Sequence, residues 1–136
     1  MRHYILASHG HFAQGIYESV QIILGKQDNV HIICGYVDGN TDVKELIDEV
    51  MRQIPAEDAI IACSDLLGGS VNNELMKYIQ RERFYLMTGM NLPLLMNLFL
   101  YQQEDPEELI QRVLGEVQGS ITYCNRFIEN ENEEDF

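Results

Sequence analysis

Four apolar segments recur along the chain at nearly even intervals. They begin near residues 3, 30, 58 and 83 and cover His3–Ser8, Val30–Tyr36, Asp58–Cys63 and Arg83–Thr88. Several of these runs are continuous rather than alternating, which is typical of strands that are buried on both faces of a sheet. Each segment therefore predicts a buried β-strand.

Helical patterns lie between and after these segments. Apolar residues at helical spacing predict helices over Phe12–Leu24, Thr41–Gln53, Val71–Gln80 and Leu92–Tyr101, and a last helix that starts at Asp105-Pro106. Alternation of strands and helices at this period predicts βαβ units. We therefore expect an α/β fold: an open, doubly wound and mainly parallel sheet with helices on both faces.

The end of the chain is harder to interpret. Ile121–Phe127 suits either a strand or a helix, and residues 129–136 hold five acidic residues and two asparagines. A segment of that composition favours a solvated tail. Since 136 residues fall within the usual size of one domain, we expect a single domain over residues 1–128 and an acidic tail over 129–136.

The charge and the terminal sequence exclude several classes of function. A net charge of −13 argues against nucleic acid and anionic membranes as partners. No apolar run approaches the ~20 residues that span a bilayer, and the first residues lack the layout of a signal peptide. These features predict a cytoplasmic protein. The three cysteines, Cys34, Cys63 and Cys124, match no zinc spacing.

The candidate chemistry lies directly after the first and third strands. Ser8-His9-Gly10 ends the first strand, and the stretch that begins at Asp65 ends the third. The carboxyl ends of parallel strands form the edge where such sheets bind ligands. If these strands are neighbours, Asp65 accepts a hydrogen bond from Nδ1 of His9, fixes the tautomer and leaves Nε2 as a nucleophile.

A possible anion site follows Asp65. Gly68-Gly69-Ser70 opens a helix, where free backbone N–H groups and the serine hydroxyl can hold a phosphate, and Ser8 could donate from the opposite side. Because the net charge repels anions, such a site must rely on local donors. Together these groups suit the acceptance and transfer of a phosphoryl group.

Other kinds of chemistry have less support in the sequence. There is no Walker loop and no dinucleotide fingerprint, and no carboxylate or cysteine cluster joins His9 and His11 as metal ligands, so we expect no cofactor and no metal. A hydrolase that uses Ser8 or Ser70 with His9 and Asp65 lacks a G-x-S-x-G elbow. A non-catalytic, flavodoxin-like binding or regulatory module stays open as an alternative, and it predicts no phosphorylation of His9.

Three motifs in order resemble a known family. They are Ser8-His9-Gly10, the stretch Asp65–Asn73 with its Gly-Gly-Ser, and Gly89-Met90-Asn91-Leu92-Pro93. Over residues 3 to about 125 the chain resembles the IIA component of the mannose-family sugar phosphotransferase system. The resemblance implies a sheet of strand order 2-1-3-4. It also implies an antiparallel fifth strand, contributed by the region after Gly119 and often exchanged in a homodimer.

The resemblance also implies a mechanism and partners. His9 would take a phosphoryl group on Nε2 from the phosphocarrier protein HPr and pass it to a IIB component, with Asp65 as the partner of His9 and with Ser70 and Ser8 as phosphoryl donors. IIB, expected on a separate chain, phosphorylates sugar that enters through the membrane components IIC and IID. A protein of this kind is associated peripherally with the membrane transport complex.

The sequence departs from the family pattern at two places. Leu66-Leu67 stands where some members carry a polar residue and an aromatic one, and Asn72-Asn73 stands where others have Pro-Phe. Both changes affect partner fit more than chemistry. The phosphotransfer subunit of dihydroxyacetone kinase, which uses a similar histidine on a similar fold, is an alternative, but the Gly-x-Asn-x-Pro stretch favours the sugar system.

Overall fold

A four-stranded parallel sheet forms the centre of the molecule. In the computed structural model, which describes residues 1–129, the strands are β1 (Arg2–His9), β2 (Val30–Gly35), β3 (Ala59–Ser64) and β4 (Phe84–Thr88). All neighbouring strands pair in parallel, and their order is β2-β1-β3-β4. The expected open parallel sheet and its order 2-1-3-4 are confirmed.

Helices connect the strands and cover the sheet. They are α1 (Phe12–Leu24), α2 (Val43–Gln53), α3 (Ser70–Met76), α4 (Leu92–Leu100), α5 (Pro106–Val117) and α6 (Asn125–Glu129). None of the helices in the described part of the chain is long and apolar enough to cross a membrane.

The side chains of β1 alternate between two separate cores. Tyr4 and Leu6 pack in a cluster with buried residues of α1, α4 and α5, whereas Ile5 and Ala7 pack on the opposite face with α2 and α3. This alternation follows from the two-residue period of a strand. The sheet is therefore covered on both faces, and only its ends and outer edges reach solvent.

The buried cysteine of β3 belongs to the first of these cores. Cys63 is fully buried, and burial raises the pKa of its thiol to about 12. It therefore stays protonated and packs as a small apolar residue, as the apolar run around it predicts.

Capping residues set the starts of three helices. The side chains of Asp42, Asn91 and Asp105 accept hydrogen bonds from backbone N–H groups in the first turns of α2, α4 and α5. These bonds satisfy donors that have no partner within the helix. In consequence α2 begins at Val43, two residues later than the pattern from Thr41 predicts.

Helix α3 is shorter than the predicted Val71–Gln80. It ends at Met76, and the N–H groups of Lys77, Tyr78 and Ile79 bond to the carbonyl oxygen three residues back rather than four. This tighter pattern is typical of the 3₁₀ turns that finish many helices. Apolar spacing continues through such a turn, so the pattern alone does not mark where the α-helix ends.

The region after Gly119 forms no strand within residues 1–129. It contains turns and then the short helix α6, while the outer edge of β4 pairs with no strand of the described chain. Residues 130–136, most of the predicted acidic tail, lie outside the described residues.

Candidate functional site

The central strand pair brings His9 and Asp65 together. His9 is the last residue of β1, and Asp65 follows β3. Oδ2 of Asp65 accepts two hydrogen bonds from His9: one from Nδ1 at 2.9 Å and one from the main-chain N–H at 2.8 Å. Because a carboxylate can only accept here, Nδ1 carries the proton and Nε2 keeps its lone pair.

The two partners differ in their access to solvent. The side chain of His9 is 39% exposed, whereas that of Asp65 is 15% exposed. The Nε2 side of the imidazole is therefore within reach of another molecule, while the carboxylate that orients the ring is shielded from water. Shielding strengthens the electrostatic part of the bond between them.

The glycine turn before α3 lies against the imidazole ring. Gly68 has a φ of +80°, a left-handed backbone that glycine adopts without strain. A Cβ atom on Gly69 would lie 3.1 Å from Cε1 of His9. A side chain at position 69 would therefore press on the ring, and Oγ of Ser70, the next residue, lies 3.5 Å from Nε2.

Ser8 occupies a different environment from the other predicted site residues. Its side chain is fully buried, and its Oγ accepts a hydrogen bond from the N–H of Ala13 at 2.7 Å and donates to the carbonyl of Gly10 at 3.2 Å. Adjacent strand residues point to opposite faces, which separates Ser8 from His9. Ser8 therefore fixes the turn between β1 and α1, and this geometry gives no support to the phosphoryl-donor role predicted for it.

Tyr36 is a site residue that the sequence analysis missed. Its ring stacks on the imidazole of His9, with the centroids 5.4 Å apart and the planes 16° apart, and its hydroxyl lies 2.5 Å from Oγ of Ser70. The apolar pattern placed Tyr36 at the end of the second strand, but β2 ends at Gly35. The available signal was position: Tyr36 follows a strand whose carboxyl end lies at the same edge as His9.

Hydrogen bonds around Ser64 connect the third motif to the site. Ser64 is buried at the end of β3, and its Oγ lies 2.7 Å from both Oδ1 of Asn72 and Oγ1 of Thr88. The N–H of Met90 donates to the carbonyl of Ser64, and Asn91 caps α4. These bonds join the ends of β3 and β4 to α3, and so hold Asp65 in place.

The site presents a histidine but no cluster of metal ligands. Within residues 1–129, no group of three or more His, Cys, Asp or Glu side chains is arranged to hold a metal ion. His11, two residues after His9, is exposed. Fold and site together define an α/β protein with an oriented, solvent-accessible histidine at the carboxyl edge of a parallel sheet.

Comparison with known proteins identifies the family. The family model described as "PTS system fructose IIA component" matches residues 3–114. The fructose-specific EIIA component of Bacillus subtilis is 25% identical over 128 residues, which cover 92% of this chain and 88% of that protein. The mannose-specific EIIAB component of Escherichia coli K12 is 26% identical over 112 residues, which cover 78% of this chain and 34% of that protein.

Solved structures agree with this relationship. A crystal structure from Klebsiella pneumoniae, described as a sugar phosphotransferase system permease, is 43% identical with a TM-score of 0.88 and 93% coverage of both chains. The EIIA component of Streptococcus agalactiae is 26% identical with a TM-score of 0.78, over 93% of this chain and 99% of that chain. The chain belongs to the mannose-type IIA family, whose members are phosphotransferase components of sugar transport systems.

Proposed function

We propose that this protein carries a phosphoryl group on Nε2 of His9, which it accepts from phospho-HPr and passes to a IIB component. The observation that supports this role is that Oδ2 of Asp65 accepts two hydrogen bonds from His9, one from its main-chain N–H and one from Nδ1. That arrangement leaves Nε2 unprotonated and directed towards an exposed edge. A nucleophile of this kind needs no proton removed before it attacks.

The transfer proceeds without a net proton movement at this site. The lone pair of Nε2 forms a bond to phosphorus while the bond from phosphorus to the imidazole nitrogen of the donor breaks. Nδ1 keeps its proton, and the carboxylate of Asp65 stabilises the positive charge that the substituted ring acquires. Transfer to the histidine of IIB reverses these events.

Local donors offset the repulsion from a chain with a net charge of −13. The hydroxyl of Ser70 lies beside Nε2, and we assign it and the backbone of the Gly68–Gly69 turn to the phosphoryl oxygens. Gly69 brings no side chain to cap α3, so the first N–H groups of this helix stay available. Ser8 keeps the preceding turn in place.

The rim of the site suits a protein partner. Leu66 is 56% exposed and Leu67 is 75% exposed, and both precede the glycine turn that touches His9. Exposed leucines next to a reactive group favour contact with another protein surface. We therefore assign this rim to HPr and to IIB, and through IIB to the membrane components IIC and IID, which places the protein peripherally on the cytoplasmic side of a transport complex.

A homodimer completes the proposed assembly. The outer edge of β4 is unpaired within the described chain, and Ile121 and Tyr123 are 96% and 64% exposed. A free strand edge and an exposed apolar segment are complementary binding elements. In this proposal the segment after Gly119 pairs with β4 of a second copy, residues 1–128 form the functional domain, and residues 129–136 are an acidic tail.

A serine hydrolase is the alternative that the geometry brings closest. Ser70, His9 and Asp65 follow one another as in a catalytic triad. The Ser70 Oγ to Nε2 distance of 3.5 Å is longer than the ~2.6–3.2 Å that suits proton transfer. Family membership also favours phosphoryl transfer, and the stability of the modification in acid distinguishes the two reactions.

The deciding experiment is phosphorylation with enzyme I, HPr and phosphoenolpyruvate, followed by intact mass. We expect a gain of one phosphoryl mass that is lost in mild acid and absent from His9→Ala. The matched control is His11→Ala, which removes an exposed histidine two residues away and should be phosphorylated normally. Uptake by His9→Ala, or an acid-stable product that depends on Ser70, would contradict the proposal.

A further inference from the structure

Tyr36 has a backbone conformation that bulky residues rarely adopt. Its φ is +63°, in the left-handed region where side chains other than glycine are strained. Such strain persists only where surrounding contacts over-determine the conformation, and it is common at functional sites. The side chain of Tyr36 is 43% exposed, so burial in a core does not account for the strain.

The contacts of Tyr36 are concentrated on the reactive histidine. The ring stacks on His9, and the hydroxyl bonds to Oγ of Ser70, which in turn lies beside Nε2. One side chain therefore touches the nucleophilic ring and the hydroxyl assigned to the phosphoryl group. The left-handed backbone of Tyr36 places its side chain where it makes both contacts.

The sheet register explains why Tyr36 arrives at this place. In the pairing of β1 with β2, His9 lies opposite Gly35, and the N–H of Gly10 donates to the carbonyl of Gly35 at 2.7 Å. The next residue is Tyr36. A Cβ atom on Gly35 would lie 3.0 Å from Cγ2 of Val43, so glycine here lets α2 pack closely against the end of β2.

We propose that Tyr36 is a positioning residue for phosphoryl transfer, which holds the imidazole of His9 with its ring and orients the hydroxyl of Ser70 with its own hydroxyl. This inference rests on the proposed phosphohistidine function. The ring acts when Nε2 carries the phosphoryl group, because the substituted imidazole is positively charged and an aromatic face attracts a cation. The flat stacking also keeps Nε2 aimed at the incoming phosphorus.

The hydroxyl acts through Ser70. When the phenol donates to Oγ of Ser70, the serine proton is left free to point towards Nε2 in the unloaded protein. After transfer, the same proton points to a phosphoryl oxygen instead. Hydrogen bonds in such a chain polarise one another, so the bond from Tyr36 makes Ser70 a better donor.

Two substitutions separate the ring from the hydroxyl. Tyr36→Phe keeps the stacking surface and removes the donor, whereas Tyr36→Leu removes both. We expect Tyr36→Phe to slow single-turnover transfer from phospho-HPr by about 3- to 10-fold, the effect of one modest hydrogen bond. Tyr36→Leu should slow it further, by about 10-fold beyond Tyr36→Phe. Tyr101→Phe, which changes a part-exposed tyrosine at the end of α4, serves as the control and should match the wild-type rate.

A double substitution distinguishes positioning from a general structural effect. If the hydroxyl of Tyr36 acts through Ser70, the Tyr36→Phe change has no further effect once Ser70→Ala is present, and the double variant transfers at the rate of Ser70→Ala. If the two substitutions only damage the structure independently, the factors by which they slow transfer multiply in the double variant. Thermal unfolding of each variant shows whether the fold is retained, and Tyr36→Phe, which keeps the ring, remains decisive if Tyr36→Leu unfolds.

The outcomes separate this inference from the proposed function. Wild-type protein that gains no phosphoryl group on His9 overturns both. The role of Tyr36 alone is overturned if the wild-type protein is phosphorylated but Tyr36→Phe transfers at the wild-type rate. It is also overturned if the slowing factors of Tyr36→Phe and Ser70→Ala multiply in the double variant. Slowing by Tyr36→Phe that disappears in the Ser70→Ala background supports it.

Discussion

Asp65 holds His9 with one oxygen and leaves the other unused. Oδ2 accepts both the main-chain and the ring hydrogen bond. Oδ1 is buried and has no hydrogen-bond partner among residues 1–129. Both hydrogen bonds that this carboxylate accepts come from His9, so its charge acts on that residue. We therefore expect the charge of Asp65, and not only its shape, to matter.

Asp65→Asn tests the contribution of that charge. The amide oxygen can still accept from His9, but the NH₂ group would take the buried place of Oδ1, where the described residues offer it no acceptor. A hydrogen bond to a charged group contributes about 1.5–3 kcal/mol, so phosphoryl transfer should slow by about 10- to 100-fold. Rapid-quench transfer from phospho-HPr measures this, and an unchanged rate would show that Asp65 acts by geometry alone.

Ser64 is the residue on which the support of the site depends. Its hydroxyl bonds to Asn72, which is buried, and to Thr88. Ser64→Ala leaves the Asn72 amide oxygen without this partner in a dry environment, which costs about 1–3 kcal/mol of unfolding free energy. Chemical denaturation measures the loss. Ser120→Ala, at an exposed serine, should leave stability unchanged, and equal stability of both variants would refute the prediction.

The predictability of the site differs from residue to residue. The meeting of His9, Asp65 and Ser70 follows from the rule that parallel strands bring their carboxyl ends to one edge, once the resemblance supplies the strand order. The burial of Ser8 follows from strand alternation, because adjacent strand residues point to opposite faces. Reading Ser8-His9-Gly10 as one motif overlooks this difference. The apolar pattern assigns Tyr36 to the second strand, whereas a left-handed backbone at this residue follows the end of β2 at Gly35.

The elements themselves were largely predictable from apolar periodicity. All four strands and the first five helices lie where the pattern places them, because each strand is buried on both faces and each helix presents an apolar stripe to the sheet. Strand order was not predictable from periodicity, since every order of four parallel strands has the same pattern. The differences at helix ends arise from side-chain caps and from the 3₁₀ turn after α3.

Helix α2 offers a test of the capping argument. Oδ1 of Asp42 accepts from the N–H of Glu45 at 3.0 Å. Asp42→Ala removes this bond and should lower the free energy of unfolding by about 0.5–2 kcal/mol. Urea denaturation of the variant measures the effect, with Thr41→Ala as its neighbour control. If Thr41→Ala destabilises the protein more than Asp42→Ala does, the cap is Thr41 and the assignment is wrong.

Across the whole molecule, the sheet has a second histidine cluster at the end opposite His9. Nε2 of His3 lies 2.9 Å from Oδ2 of Asp58, and Nδ1 of His3 lies 3.1 Å from Nε2 of His31. The N-terminal amine lies 3.5 Å from Oδ1 of Asp58. The hydrogen bond between the rings needs one of the two facing nitrogens to carry a proton and the other to accept it. If both rings are positively charged, both nitrogens carry a proton and the bond is lost.

This cluster makes stability depend on pH. Burial, and then the neighbouring His3, lowers the pKa of His31, and the hydrogen bond from His3 lowers the pKa of Asp58. Because the folded state disfavours protonation of both groups, their contributions are present above the ordinary pKa values and are lost as pH falls through the lowered ones. We expect the melting temperature to fall as pH drops below about 6.5, and to fall again in the acid range of Asp58.

His31→Gln isolates the first of these two steps. The variant lacks the imidazole whose charging opposes folding, so its melting temperature should change less between neutral pH and pH values below the titration of His31. His11→Gln, at an exposed histidine near the other end of the sheet, should keep the wild-type profile. Parallel profiles for His31→Gln and the wild type would show that the pH dependence arises elsewhere.

The bond from the main chain of His9 to Asp65 links reactivity to the integrity of the sheet. If the end of β1 frays away from β3, the same event releases the imidazole from the group that fixes its tautomer. Under the proposed function, a molecule that begins to unfold at this edge therefore ceases to be a competent phosphoryl acceptor.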